Sequence, residues 1–160
     1  MTRPKLIKSV ETITERFKEA FVQINDSSEI YRLCLEHELY LYKGKMLEAL
    51  YDQRQGEIPC RAIFYREDAV VVLIPGERGN KRVWEGMLYV RSGYRGTGLA
   101  VELVKAIMPE AEDKEVYWHP WDLQSCGFFT KLKREGILNE THFDDKARAM
   151  FKAANLVRRC

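Results

Sequence analysis

The 160-residue chain reads as a mixed α/β (α+β) protein: a mostly antiparallel central sheet, helices at the N-terminal end and one strand–glycine-loop–helix unit. Three features carry that reading. Apolar residues recur at three- and four-residue steps in the first third of the chain. From Arg61 onward the period shortens to two. After Val90 a glycine-rich turn opens an apolar helical pattern.

Composition narrows the class. Hydrophobic residues make up 46% of the chain and charged ones 31%, with 10 Gly and 5 Pro, which excludes a disordered, fibrous or linker protein. The length suits a single domain over 1–160 with one buried core. A net charge of +2 argues neither for nor against nucleic acid. The longest apolar run, Ala69–Ile74, is far short of the roughly 18 residues of a membrane span, so no membrane partner is expected. Met1–Lys8 lacks the apolar stretch of a secretory signal, and a cytoplasmic location follows as the expectation. Cys34, Cys60, Cys126 and Cys160 are widely spaced, with no CxxC pair and no histidine at ligand spacing. Free thiols are expected, and no metal.

Residues 1–55 read as helices. Ile7, Val10, Ile13, Phe17, Phe21 and Ile24 would share one helical face. Asn25-Asp26-Ser27-Ser28 stops that pattern and offers an N-cap for a second helix carrying Ile30, Leu33, Cys34 and His37. Met46–Tyr51 suits a further short helix. The middle reads as an antiparallel meander: Arg61–Tyr65, a turn at Arg66-Glu67-Asp68, then Ala69–Ile74, ended by Pro75-Gly76. Its third strand is Arg82–Val90, in which Val83, Glu85, Met87 and Tyr89 alternate with Trp84, Gly86, Leu88 and Val90. Leu99–Met108 is helical and closed by Pro109. Val116–Trp118 is a short strand, and Asp122 can cap a helix with Cys126, Phe128, Phe129 and Leu132. Residues 139–160 suit a last, basic helix, with Phe143–Leu156 as its pattern.

The segment Val90-Arg91-Ser92-Gly93-Tyr94-Arg95-Gly96-Thr97-Gly98-Leu99-Ala100 is the informative part of the chain. It leaves a strand and enters a helix, the context in which a phosphate cradle is built. Gly96 and Gly98 let backbone N–H groups approach a diphosphate, the helix N-terminus adds unpaired donors and partial positive charge, and Arg95 adds a forked cation. No Gly-Lys-Ser/Thr follows, so it is not a Walker loop, and it lacks the third glycine of the dinucleotide fingerprint. On the glycines alone, an ordinary strand-to-helix turn remains the alternative.

The flanking register resembles the GNAT superfamily of acyl-CoA-dependent N-acyltransferases. Leu88-Tyr89-Val90 matches its Leu-x-Val strand, and Tyr94-Arg95-Gly96 with Arg95-x-x-Gly98-x-Ala100 matches its Gln/Arg-x-x-Gly-x-Gly/Ala motif. Downstream, Asp122-x-x-Ser125-x-x-Phe128-Phe129 occupies the frame of a second, more degenerate motif, with Gly136-Ile137 displaced by a few residues. The resemblance covers about residues 60–138, the expected acyl-CoA-binding core. It implies that Arg95, Gly96, Thr97, Gly98, Leu99 and Ala100 bind the pyrophosphate of acetyl-CoA. It also implies that backbone groups of Leu88, Tyr89 and Val90 pair with the pantetheine arm, as an added strand would. A backbone N–H near Tyr89 would stabilise the developing oxyanion.

Amine acylation needs a proton acceptor. Glu85 lies on the strand before the loop, where the resemblance places a catalytic carboxylate. Beside apolar neighbours its pKa would rise, making it a better base; a solvent-facing strand Glu paired with a cation is the alternative. The family's acid is a tyrosine, but Phe129 stands in its frame. Tyr117, His119 or Ser125 could replace it, the thiolate could leave unassisted, or the protein does not catalyse. His119 follows the Val116–Trp118 strand, and Trp118 or Trp121 could stack on a flat acceptor, against the alternative that Trp118 is core. Cys126 has no evident histidine partner for a nucleophilic role.

The resulting expectation is acetyl or other small acyl transfer from acyl-CoA to a small-molecule or macromolecular amine, directly in a ternary complex. A non-catalytic binding or assembly module of the same fold is the alternative. From Lys131 onward eight basic residues face four acidic ones, which motivates a third reading as a nucleic-acid base modifier. A homodimer is also compatible with the sequence.

Overall fold

A computed structural model describes residues 16–39, 59–94, 96–119, 123–138, 142–143, 149 and 152. The expected helix at Met46–Tyr51, most of the basic C-terminal helix and Arg95 lie outside the described residues.

After a helical turn over 16–19, the chain forms β1 (Phe21–Ile24), α1 (Ser27–Glu36), β2 (Arg61–Tyr65), β3 (Ala69–Arg78) and β4 (Lys81–Val90). A 3-10 turn, Ser92–Tyr94, then leads to α2 (Leu99–Ile107). A second 3-10 turn, Met108–Ala111, precedes β5 (Val116–Trp118), α3 (Leu123–Arg134) and β6 (His142–Phe143). The six strands form one sheet in sequence order. β1 to β4 pair antiparallel, as the meander predicts for β2 to β4, whereas β4, β5 and β6 run parallel. A parallel step needs a crossover, and the glycine loop with α2 supplies it between β4 and β5.

α1 begins where the sequence places a cap: the Asp26 side chain accepts a hydrogen bond from the Ser28 N–H at 3.0 Å. Residues 21–24 depart from the helical expectation. Phe21 and Ile24 fit a helical stripe, but β2 offers an unpaired edge, and the segment pairs with it from Phe21–Tyr65 to Ile24–Ala62. An odd separation in a strand sends side chains to opposite faces, so Phe21 joins one core layer and Ile24 the other. Phe143, expected in the last helix, lies in β6; residues 149 and 152 are helical.

β3 also runs past its expected end at Pro75-Gly76, to Arg78. Pro75 lies opposite Trp84, whose own N–H turns away from β3 to donate to the Glu115 carbonyl at 2.9 Å. The Pro75 nitrogen therefore faces away from β4, on the side where the β2 ladder has already ended at Arg61–Leu73. No ladder hydrogen bond is lost there.

Apolar side chains line both faces of the sheet. Ile63, Tyr65, Val71, Leu73, Trp84 and Trp118 pack with Leu99, Leu103 and Ile107 of α2 and Leu132 of α3. Ala62, Phe64, Val70, Val72, Ile74 and Met87 pack with Ile30 and Cys34 of α1. Each fully buried aliphatic side chain contributes about 1.5–3 kcal/mol. The free thiols of Cys34 and Cys60 are buried in this second layer.

Candidate active site

The site begins where β4 and β5 part. Among the described residues they pair at three positions, Trp84–Val116, Glu85–Tyr117 and Gly86–Trp118. The His119 N–H then donates to the Gly86 carbonyl at 3.0 Å. Among the described residues β4 continues to Val90 paired with β3 alone. Along β4 even-numbered residues direct their backbone N–H and C=O toward β5 and odd-numbered ones toward β3. Leu88 and Val90 therefore present backbone donors and acceptors to the opened side. Those of Tyr89 turn instead to Val70 of β3, which removes Tyr89 from the expected set of pairing and oxyanion N–H groups; its half-buried side chain lies on the α1 face.

The open edge leads into the glycine loop. Gly96 and Gly98 have φ of 76° and 85°. Gly98 is the N-cap of α2 in a left-handed conformation and carries no capping side chain. Thr97 Oγ1 accepts from the Leu99 N–H at 3.4 Å, and the first helical bond is Glu102 N–H to the Gly98 carbonyl at 3.1 Å. The Ala100 and Val101 amides are thus among the first-turn donors that helix geometry leaves without an intrahelical acceptor. The Leu99 side chain is buried in the core, so its backbone alone faces outward.

Two residues tie this loop to the sheet. The Tyr94 hydroxyl donates to Asp68 at 2.9 Å, which pushes its phenol pKa up, and its ring meets Tyr65 edge-on at 5.5 Å. Arg91 pairs with Asp68 Oδ1 at 3.3 Å and donates to the carbonyls of Glu67 and of His37, the C-cap of α1. An open strand edge followed by an uncapped helix N-terminus fits an extended amide-bearing arm that ends in a diphosphate.

At the apex of the opening, on the α1 side of the sheet, stand Glu85, Tyr117 and His119. With Glu85 ionised, His119 Nε2–H donates to Glu85 Oε2 at 2.7 Å. Arg78 grips the same carboxylate, Nε to Oε1 and Nη2 to Oε2, both at 3.1 Å. Its guanidinium lies 4.3 Å over the Tyr117 ring. The Tyr117 hydroxyl donates to Glu115 Oε2 at 3.3 Å, and Lys81 pairs with Glu115.

The electrostatics of Glu85 run opposite to the expectation from burial. Burial by itself raises its pKa, but the hydrogen bonds from His119 and Arg78, with their charges, outweigh it. The carboxyl is held below the usual range, and Glu85 is an ionised anchor for its neighbours.

Phe129 is 3% exposed and stacks on Trp118 at 4.6 Å, so the position resembling the family's acid is core. Trp118 is core as well. The approach is so close that a Cβ on Gly86 would stand 2.9 Å from the Trp118 ring and from Val116 Cγ1. Ser125 lies on α3, with its side chain outside the described residues, as are Trp121 and Asp122. Arg78 and Gly76 were not legible as site residues, because ending β3 at Pro75-Gly76 hides that the hairpin carries Arg78 back toward Glu85. A groove of about 800 Å³ at the far end of α2, lined by Lys105, Glu112, Lys114 and Ile137 among others, does not include Arg78, Glu85, Tyr117 or His119. Among the described residues no group of three or more His, Cys, Asp or Glu could hold a metal ion, and no helix is long and apolar enough to cross a membrane.

The profile of the acetyltransferase (GNAT) family matches residues 19–133, so the match reaches back through α1 and β1. No curated protein sequence matches the chain. Among solved structures, an aminoglycoside N-acetyltransferase in complex with CoA is 12% identical, covering 72% of this chain and 84% of its own, with a TM-score of 0.43. A ribosomal-protein-alanine N-acetyltransferase from Brucella melitensis biovar Abortus 2308 is 14% identical, covering 61% and 76%, with a TM-score of 0.37. The profile match spans well over half of the chain, from the first strand to the last turn of α3, and the protein belongs to the acetyltransferase (GNAT) family.

Proposed function

We propose that this acetyltransferase moves an acetyl group from acetyl-CoA directly to an amine while both are bound, with the Glu85–His119 pair as proton acceptor. The observation that carries the reading is the parting of β4 from β5 immediately after Gly86, with that pair at its apex. Leu88 and Val90 supply backbone partners for the pantetheine arm, and the Gly96–Ala100 turn, with Arg95, receives the diphosphate. The amine lone pair attacks the thioester carbon, the C–S bond breaks and the electron pair leaves with sulfur. The proton lost by the amine passes to the Glu85–His119 pair, directly or through water. Glu85 then faces an imidazolium whose charge it offsets. Simple thiols titrate near 8.5, so a thiolate is a tolerable leaving group without a dedicated acid.

Thermal-shift titration with acetyl-CoA, and with CoA and ATP as comparators, tests the donor site. A ligand at a hundredfold excess over Kd stabilises the fold by about 2.7 kcal/mol, a shift of several degrees. Gly98→Val should lose that shift. No shift with millimolar acetyl-CoA sinks the assignment. Thiol release from acetyl-CoA in the presence of a panel of primary amines, compared for wild type, Glu85→Gln and His119→Asn across pH, tests the base. An unaltered profile in both variants removes it.

The buried Phe129 favours a second reading, a GNAT-fold module that binds acetyl-CoA without turning it over. Coenzyme binding with no thiol release for any amine would select it.

A further inference from the structure

Arg78 belongs to no motif in the sequence, yet its side chain runs back along β3, over the Tyr117 ring, to the carboxylate that holds His119. The geometry is specific. Nε meets Glu85 Oε1 at 3.1 Å while Nη2 spans both oxygens, 3.0 Å from Oε1 and 3.1 Å from Oε2, a two-nitrogen fork on one carboxylate that an ammonium cannot reproduce. The ring beneath confines the guanidinium to a plane, which fixes the direction of the fork. The path is clear because position 76 has no side chain: a Cβ there would stand 2.9 Å from Glu85 Cγ and 3.2 Å from Oε1. The side chains of Arg78 and Glu85 are 30% and 21% exposed, so the pair is partly shielded from water and worth more than a surface ion pair.

We propose that Arg78 is a positioning residue for the acyl-transfer step: it clamps Glu85 in a rotamer that accepts from His119 Nε2–H, and so fixes the orientation of the His119 ring. The inference rests on the reading of Glu85–His119 as the proton acceptor. Glu85 without the clamp is a flexible side chain with several rotamers, of which only some reach His119. The lost fork costs the pair its fixed orientation even where the chain folds normally. The charged and titratable groups around the carboxylate on the described residues are Arg78 on β3 and Tyr117 and His119 on β5, with Glu115 and Lys81 one contact further out. Arg78 is the fixed cation among those in direct contact. Its loss therefore lets Glu85 protonate at higher pH.

Two signals read this without knowledge of the acceptor amine. One is the His119 Nε2–H proton, assigned among the three histidines by its loss in His119→Asn. In wild type it should resonate far downfield and exchange slowly. The other is the Glu85 carboxyl carbon, followed through an acid titration. In Arg78→Gln the proton should exchange about tenfold faster or vanish. The Glu85 midpoint should rise by about one pH unit or more. Arg78→Lys, which keeps the charge and loses the fork, should restore most of the midpoint and little of the exchange protection. An unchanged Nε2–H signal and midpoint in Arg78→Gln overturn the clamp. Failure of the base reading looks different: thiol release is then indifferent to Glu85→Gln and His119→Asn, whatever the spectra of Arg78→Gln show.

Discussion

Glu85 lays its side chain over Gly76: its Cγ sits 2.9 Å and its Oε1 3.2 Å from where a Cβ on Gly76 would stand. The two residues lie on neighbouring strands, Gly76 opposite Val83 and Glu85 opposite Ile74, so the contact is diagonal across the hairpin. A missing side chain on β3 thus creates the slot in which a β4 carboxylate reaches both Arg78 and His119.

Filling that slot should separate positioning from folding. Gly76→Ala moves Glu85 by a few tenths of an ångström or more, and the proton acceptor with it. We expect kcat to fall roughly tenfold to a hundredfold while acetyl-CoA KM stays within about twofold. Steady-state thiol release measures both. Unchanged kcat in Gly76→Ala rejects the slot as a functional feature.

The state of Glu85 predicts how acid acts on the fold. Its folded pKa lies below the ordinary value of 4.5, so its ion pairs contribute stability that is complete above that value and is lost as pH falls through the folded one. Urea unfolding at pH 7 and at successive values below 4.5 should show wild type losing this contribution. Glu85→Gln, which has none to lose, should be less stable at pH 7 and fall less steeply on acidification. Parallel curves for the two proteins refute the prediction.

Gly86 supports the parting of β4 from β5. An alanine Cβ there meets the Trp118 ring and Val116 Cγ1 at 2.9 Å, and Trp118 is backed by Phe129, so the ring has no room to retreat. Gly86→Ala should cost about 1–3 kcal/mol, read as a lower urea midpoint at unchanged slope. It should also weaken acetyl-CoA binding, since the strands must separate further. Full stability with unweakened binding contradicts it.

The buried thiols should be silent. Burial pushes the Cys34 thiol up to about 12. It also raises Cys60, against the hydrogen bond from the Ser27 hydroxyl and the nearby Arg61 charge. Thiolate is the reactive form. At pH 8 a thiol-specific dye should leave Cys34 and Cys60 untouched in the native protein and label both in denaturant, by mass mapping. The same shifts mean stability is complete below the unfolded thiol value and declines as pH rises toward the folded one. Fast native labelling of Cys34 contradicts its burial.

Much of this protein was legible from local patterning. The alternation from Val83 to Val90 puts Glu85 on one face, and the Asp26 cap starts α1 as the spacing predicts. At Phe21–Ile24 the three- and four-residue spacing suits a helix, whereas the edge of β2 decides for a strand. The extension of β3 through Pro75 was hidden for a related reason. Whether a proline interrupts a strand depends on which neighbour its nitrogen faces, and that is a property of the assembled sheet.

The proposed donor site and the proposed proton-handling site divide along the same line. A turn with Gly96, Gly98 and a following apolar helix is chemistry within one stretch of chain, where side-chain absence and helix polarity act over a few residues. Such a pattern needs no partner from elsewhere in the chain. The parting of β4 from β5, the retirement of Phe129 into the core and the meeting of Arg78, Glu85 and His119 are long-range events. They depend on register between strands and on how far a guanidinium reaches across a glycine. Periodicity shows which face a residue occupies; tertiary packing sets which neighbour stands within 3 Å of it, and the charge state of Glu85 depends on that neighbour.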